Sequence, residues 1–355
     1  MKKGIYKILF LINCVFIGLL ILCLLPPLIN PNTTTLFSVI GLAYPVLVLI
    51  NLAFVLMWLF FRNYRFLYST VTIIILFVFG NSLVTFNSSS SNSDLTVISF
   101  NCKLLGLYDD NLFSDELREY LNESEADVIC LQEFYNFKEK RKSILSKFKE
   151  ELNFKTVRFT AKVEGNMNKQ LGLLFISKHS IIKTGRIPFN TVTSNLCTYT
   201  DIAIKDKPLR IYNAHLQSLR LSRNDHKFIE NPEQKKVVEK GKTLIKRMGV
   251  AFKIRAEQAT EIKDHMNDCK IPIILCGDFN DTPISYSYKI LSSGLKDSYK
   301  EKGFGLETTY TGKLPFLRID YILHSMELEA TSYRSYKKFP SDHKLLTSRL
   351  RFNSN

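Results

Sequence analysis

The sequence predicts an α/β domain carried behind an apolar segment that crosses a membrane as three helices. Two contrasts along the chain carry this reading. From Met1 to Phe86 there is no Asp or Glu, and the only basic residues are Lys2, Lys3, Lys7, Arg62 and Arg65. From Asp94 onward the composition is that of a globular protein, and short apolar runs alternate with helical and turn-like stretches.

The apolar segment contains three uncharged runs, at about 8–25, 36–61 and 66–86, each near or above the roughly 18 to 20 residues a helix needs to span a bilayer. Pro26 and Pro27 end the first, Pro45 stands inside the second, and Arg62 and Arg65 flank the turn before the third. Lys2, Lys3 and Lys7 precede the first run, and the loop at 29–35 has no positive charge, so the amino terminus is expected inside. Three crossings then place the remainder outside, in a periplasm or extracellular space, as a multi-pass protein of the cell membrane. A cleaved signal peptide fits less well, because no A-x-A-like site follows the first run. Residues 87–93, N-S-S-S-S-N-S, read as a flexible polar linker, and 94–355 as the globular domain.

That domain holds 43 Lys and Arg against all 33 acidic residues, a formal +10 that suits an anionic partner. Its cysteines, Cys102, Cys130, Cys197, Cys269 and Cys276, are odd in number, and two lie inside apolar runs. Buried thiols are therefore expected rather than a disulfide framework.

Taken in order, residues 95–100 form an apolar strand ending at Asn101, 114–122 a helix, and 127–131 a strand ended by Gln132 and Glu133. Residues 137–152 read as a basic amphipathic helix. Strands follow at 156–161, 171–177, 198–204 and 209–214, the last delivering His215. From 235 to 267 the apolar residues Leu244, Met248, Phe252, Ala259, Ile262 and Met266 recur at helical spacing, although Gly241 and Gly249 weaken the pattern. The run 273–276 is a buried strand, Gly277 turns the chain, and Asp278, Asn280 and Asp281 follow at once. A short helix at 286–292, a strand carrying Asp320, the triplet Ser341-Asp342-His343 and a strand at 345–350 complete the domain.

Asn101, Glu133, His215, Asp278, Asn280, Asp320, Asp342 and His343 thus lie at the ends or interiors of apolar strands. Grouped carboxylates repel one another unless a cation neutralises them. Oxygen and amide donors without cysteine point to Mg²⁺ or Mn²⁺ rather than structural zinc, and the histidines can exchange protons near neutrality. The chemistry expected from the residues alone is metal-assisted hydrolysis of a phosphoester.

The ordered motifs S-F-N at Asn101, L-Q-E at Glu133, N-A-H-L at His215, G-D-F-N at Asp278 and Asn280, R-I-D-Y-I at Asp320 and S-D-H at His343 resemble the endonuclease/exonuclease/phosphatase superfamily. The resemblance spans nearly all of 94–355 and leans towards deoxyribonuclease-like and neutral sphingomyelinase-like members. It implies a four-layered α/β sandwich, two mostly antiparallel sheets packed face to face with helices outside. It further implies Glu133 as the main metal ligand with Asn101, and Asp342 near the metal. His343 steadied by Asp320 would activate water, His215 would bind phosphate oxygens or protonate the leaving oxygen, and Asp278 and Asn280 would position the nucleophile. The expected partners are the bilayer, through 1–86, and an anionic phosphoester, nucleic acid or phospholipid; no protein partner is expected. The competing expectation is a membrane-tethered binding or scaffold protein that keeps the fold without turnover.

Overall fold

The computed structural model describes residues 2–79, 84–90, 92–103, 115–137, 152–162, 169–191, 193, 195–219, 237–312, 316–337 and 339–353. Most of the helix expected at 137–152 lies outside them. The chain divides into two compact units: Met1–Ser82, Leu219–Ala256 and Thr282–Lys289 form one, and Leu83–Ser218, Glu257–Asp281 and Ile290–Asn355 the other.

The second unit is built on two six-stranded mixed sheets. One contains β2 (Leu95–Asn101), β3 (Val128–Phe137), β4 (Thr156–Ala161), β5 (Lys169–Ser177), β13 (Leu328–Tyr336) and β14 (Leu345–Phe352), in the order β13-β14-β2-β3-β5-β4. The other contains β6 (Ile181–Ile187), β7 (Leu196–Ile204), β8 (Lys207–His215), β9 (Ile273–Asp278), β10 (Lys296–Asp297) and β12 (Asp320–His324), in the order β10-β12-β9-β8-β7-β6. Only β2 with β3 and β8 with β9 run parallel; every other pair is antiparallel.

Strand alternation sorts side chains into two cores. Leu95, Val97, Val128, Cys130, Leu209, Ile211, Ile274, Cys276 and Ile322 form the core shared by the two sheets. Their odd-even partners on the first sheet, Ile98, Phe100, Ile129 and Leu131, pack with Leu121 of the helix α5 (Asp115–Glu123) in a second core. Continuing the inward parity to the strand ends gives Asn101, Gln132, Asn213, His215, Asp278 and Asp320, all buried. The same pattern that builds the core therefore aims polar groups into the space between the sheets.

Local features set this up. Gly277 has φ +149°, and a Cβ there would lie 1.9 Å from the Ala214 carbonyl oxygen, so the close β8–β9 approach needs glycine. In β3 the register shifts between Leu131 and Phe134, with Glu133 at φ +52°. This bulge sends Phe134 to the outer core and redirects Glu133. The cysteines form no disulfide, and Cys102, Cys130, Cys197 and Cys276 are buried.

A two-stranded ribbon, β1 (Val84–Phe86) with β11 (Phe304–Leu306), corrects the third expected span, which ended at 86. Helix α4 (Phe66–Phe79) is 14 residues long, about 21 Å, and Val84–Phe86 are strand. The stretch after the ribbon is held rather than slack. The Asn87 N–H bonds Gly303 O at 3.1 Å, its amide bonds Lys300 O at 2.7 Å, and the Ser90 N–H bonds Thr331 O at 2.7 Å.

The first unit contains α1 (Lys2–Leu22), α2 (Leu36–Leu42), α3 (Tyr44–Phe60) and α4. Among the described residues α1 is the one helix long and apolar enough to cross a bilayer, or two spans pass if the α2–α3 pair, bent by 59°, counts as one. The expected three uninterrupted spans are thus not found; the break in the second falls at Ala43, with Pro45 in the first turn of α3. Inside this bundle four polar side chains satisfy one another. Trp58 Nε1 donates to Asn13 Oδ1 (2.9 Å), Asn13 Nδ2 to Ser69 Oγ (2.8 Å), and Ser69 Oγ to Asn51 Oδ1 (3.1 Å). All four residues are buried, whereas Ile8, Leu11, Leu56 and Phe60 stand exposed. Helix α6 (Val237–Asn267) is continuous through Gly241 and Gly249; α7 (Tyr286–Ser292) and α8 (Ser298–Lys302) follow.

Candidate active site

The inward ends of β2, β8, β9 and β12 meet around Asp278. Register places Asp278 beside His215 in the parallel β8 and opposite Asp320 in β12. Asp278 Oδ2 accepts from Asn101 Nδ2 at 2.9 Å and from Asn280 Nδ2 at 3.0 Å, and its Oδ1 accepts from the Asn280 N–H at 2.8 Å. Asn280 adopts φ +52° and also donates to Leu216 O, so the turn after β9 is fixed by its own side chain.

His343 Nδ1 lies 2.9 Å from Asp320 Oδ2, a buried His-Asp pair. Its Nε2 faces the site, 3.9 Å from both Asp278 Oδ2 and Asp342 Oδ1. Thr309 Oγ1 accepts the N–H groups of Ile319 and Asp320, holding the acidic partner in place. Ser341 Oγ donates to Asn101 O at 2.8 Å and accepts from the His343 N–H, which ties the loop before β14 to the end of β2 in the same sheet.

His215 Nε2 stands 3.5 Å from Glu133 Oε1 and 3.7 Å from Asp278 Oδ2, and neither ring nitrogen has a hydrogen-bond partner. A buried orphan of this kind is costly unless a substrate group completes it. Asp342 is ion-paired with Lys103 Nζ at 2.7 Å, and the Lys103 N–H bonds Asn101 Oδ1. All eight residues singled out in the sequence are therefore joined by contacts no longer than 3.9 Å.

The electrostatics follow from burial and grouping. Burial, then the Asp320 charge, pushes the Asp278 carboxyl up to about 7. Burial alone would lower His343, but the charges of Asp320 and Asp278 outweigh it and hold its pKa near 10. Burial drives His215 well below its ordinary range, with Lys162 and His343 adding to the effect, so its imidazole is neutral.

The donor chemistry fits a hard divalent cation. Glu133, Asn101 and Asp342 offer oxygens, and the Asp278 carboxyl is raised in a way that a nearby cation would relieve. Asp278, Asp320 and His343 also bring ligand atoms within 4.8 Å of one another. Their closeness already has an explanation in the direct His343–Asp320 bond.

Several contributors were not foreseen. Gln132 Nε2 donates to Asn213 Oδ1 at 2.8 Å between the sheets. Lys162 is a buried cation whose charge acts on His215. Tyr310 bridges His343 through the backbone and sets its ring edge-on to the imidazole, 5.4 Å between centroids. No spacing in the sequence marks Lys162 or Tyr310, whereas Gln132 and Asn213 lie inside the L-Q-E and N-A-H-L motifs.

This is a phosphoester-hydrolase fold with a His-Asp pair and carboxylates at one end of its sheets. A family model described as "Endonuclease/Exonuclease/phosphatase family" matches residues 98–343, and the chain belongs to that family, whose members hydrolyse phosphoesters. Residues 6–83 match a second model, "Domain of unknown function (DUF8431)". Among solved structures, a family protein from Bacteroides vulgatus is 16% identical with a TM-score of 0.53, over 73% of this chain and 99% of that one. One from Leptotrichia buccalis is 17% identical with a TM-score of 0.51, over 73% and 100%. The human Nocturnin catalytic domain with bound sulfate anion is 19% identical with a TM-score of 0.51, over 75% and 98%. No curated protein matches the chain.

Proposed function

We propose that the protein is a membrane-anchored, outward-facing phosphodiesterase that needs Mg²⁺ and hydrolyses nucleic acid or a phospholipid head group by in-line attack of water. The observation that carries the reading is the Asp320–His343 pair turned towards Asp278 and opposite the unpartnered His215. Glu133, with Asn101 and Asp342, would hold Mg²⁺ or Mn²⁺, which supplies positive charge against the developing phosphate negative charge when bound.

The chain's own groups divide the remaining work. Asp278 takes the proton from the attacking water, and Asn280 and Asn101 fix its carboxylate in one orientation. His343 carries its proton on the pair with Asp320 and presents Nε2–H to a phosphate oxygen. Neutral His215 binds a second oxygen or the departing one.

Anchoring draws support from the inverted packing of α1, α3 and α4, with amides inside and aliphatic side chains outside. Helix α1 crosses the bilayer with Lys2, Lys3 and Lys7 on the inner side, which places the chain after it outside.

The test is full-length protein in anionic nanodiscs, offered plasmid DNA and phospholipid vesicles, with Mg²⁺ or EDTA and His343→Ala as the blank. Mg²⁺-dependent cleavage of either substrate, absent in the blank, is expected. Binding without turnover of either overturns the reading in favour of a scaffold that keeps the fold.

A further inference from the structure

Strand alternation gives the β1–β11 ribbon two unlike faces. Val84 pairs with Leu306 and Phe86 with Phe304, so these four apolar side chains share one face, and Thr85 and Gly305 share the other. The second face is attached to the domain: Thr85 Oγ1 donates to Tyr299 O at 3.4 Å, and Tyr299 Oη donates to Gly305 O at 2.6 Å. The first face is bare except at Val84, which is half-buried. Phe86 is 71% exposed, Phe304 78% and Leu306 50%, and the two rings meet edge-on with centroids 5.7 Å apart.

Other large apolar side chains exposed in this unit, among them Ile182 and Met326, stand singly on separate elements, which is ordinary for a protein surface. A face on which every side chain is apolar and which is held rigidly from behind is not ordinary.

We infer that this ribbon face rests in the interfacial layer of the bilayer that holds the anchor, so that the domain is fixed to the membrane at a second point. The inference rests on the anchoring proposed above. Two observations choose lipid over a protein partner. Phe86 follows Phe79, the end of apolar helix α4, by only seven residues of sequence, so the chain enters the ribbon directly from the anchor segment. Lys300 and Lys302 of α8 lie just before Phe304, giving the pairing of basic and aromatic residues that binds anionic head groups.

The test uses the full chain in phosphatidylglycerol-containing vesicles. The protein has a single tryptophan, Trp58 in α3, so Phe304→Trp adds one reporter at an exposed position and keeps an aromatic ring against Phe86. The vesicles carry lipid brominated either near the head group or deep in the acyl chain. Loss of most of the added emission with the shallow label, and less with the deep one, is expected. If Trp58 is quenched and the Phe304→Trp signal is not, the anchor is in lipid and the ribbon is not, which overturns the inference alone. If neither is quenched, the anchoring proposal fails and the inference falls with it. A Phe304→Trp signal that is blue-shifted yet unquenched, with a dimer in detergent that Phe86→Ser/Phe304→Ser converts to monomer, assigns the face to a second copy and overturns the lipid assignment.

Discussion

Asn101 and Asp278 stand at the ends of strands in different sheets, yet the Asn101 amide donates to Asp278 Oδ2 at 2.9 Å. The bond closes the two layers at the point where the candidate active site begins, and it orients a carboxylate that is buried among other acids.

Replacing Asn101 by Ala leaves that buried carboxylate short of one donor. We expect a stability loss of about 1–3 kcal/mol by urea titration. Turnover should fall further than stability accounts for, because Asp278 is freed to rotate. An Asn101→Ala protein with parental turnover would show that the bond is structural only.

Asp320→Asn and His343→Ala act on one unit, so their effects should not add. Each is expected to lower kcat by about 10²–10³-fold, the range for losing a donor to the developing oxyanion, and the double variant should be no slower than the worse single one. Steady-state kinetics on the cleaved substrate decides this; a multiplicative double variant would mean that the two side chains act separately.

Glu133 sits at φ +52°, where a residue other than glycine is strained by about 1–2 kcal/mol. Glu133→Gly relieves that strain while adding chain entropy to the unfolded state. Thermal unfolding should therefore place it within about 1 kcal/mol of the parent. Mg²⁺-dependent cleavage should be abolished. A large stability loss instead would make Glu133 a structural residue of the bulge.

Away from the site, Glu301 accepts the Ala330 N–H at 2.9 Å and lies 3.0 Å from His324 Nε2 and 3.3 Å from Lys296 Nζ. Burial would raise its pKa, but these partners, His324 first, hold it near 2. A carboxyl depressed on folding stabilises above its unfolded pKa and loses that contribution as pH falls through the folded one. The melting temperature should drop between pH 4.5 and 2, and Glu301→Gln should flatten that part of the curve. An unchanged slope would mean that other carboxylates carry the acid sensitivity.

Much of the site was legible because its residues obey strand alternation. In β9, Ile274 and Cys276 point into the shared core and Asp278 continues their parity, so an apolar run ending in an acid announces both the strand and the site. Lys162 and Tyr310 were illegible for the opposite reason: they reach the site from strand edges and loops, and proximity there is set by tertiary packing. The strands β6 and β13 were missed as well. Ile181–Ile187 is a half-exposed edge with few apolar residues, and Leu328–Tyr336 is polar and bulged between Ala330 and Ser332. The membrane segment was over-read because hydropathy registers length of apolar sequence and is blind to where a helix breaks, as at Ala43, or gives way to strand, as at Val84.

Inward parity in β2, β8, β9 and β12 also fixes what kind of genetic change the site can survive. A substitution removes one group at a time, but a one-residue deletion within β9 would turn Asp278 outward and put an apolar neighbour in its place, reversing a whole strand at once. Length is therefore held more tightly in these short strands than composition, and the tolerance for inserted or lost residues is confined to the loops between them.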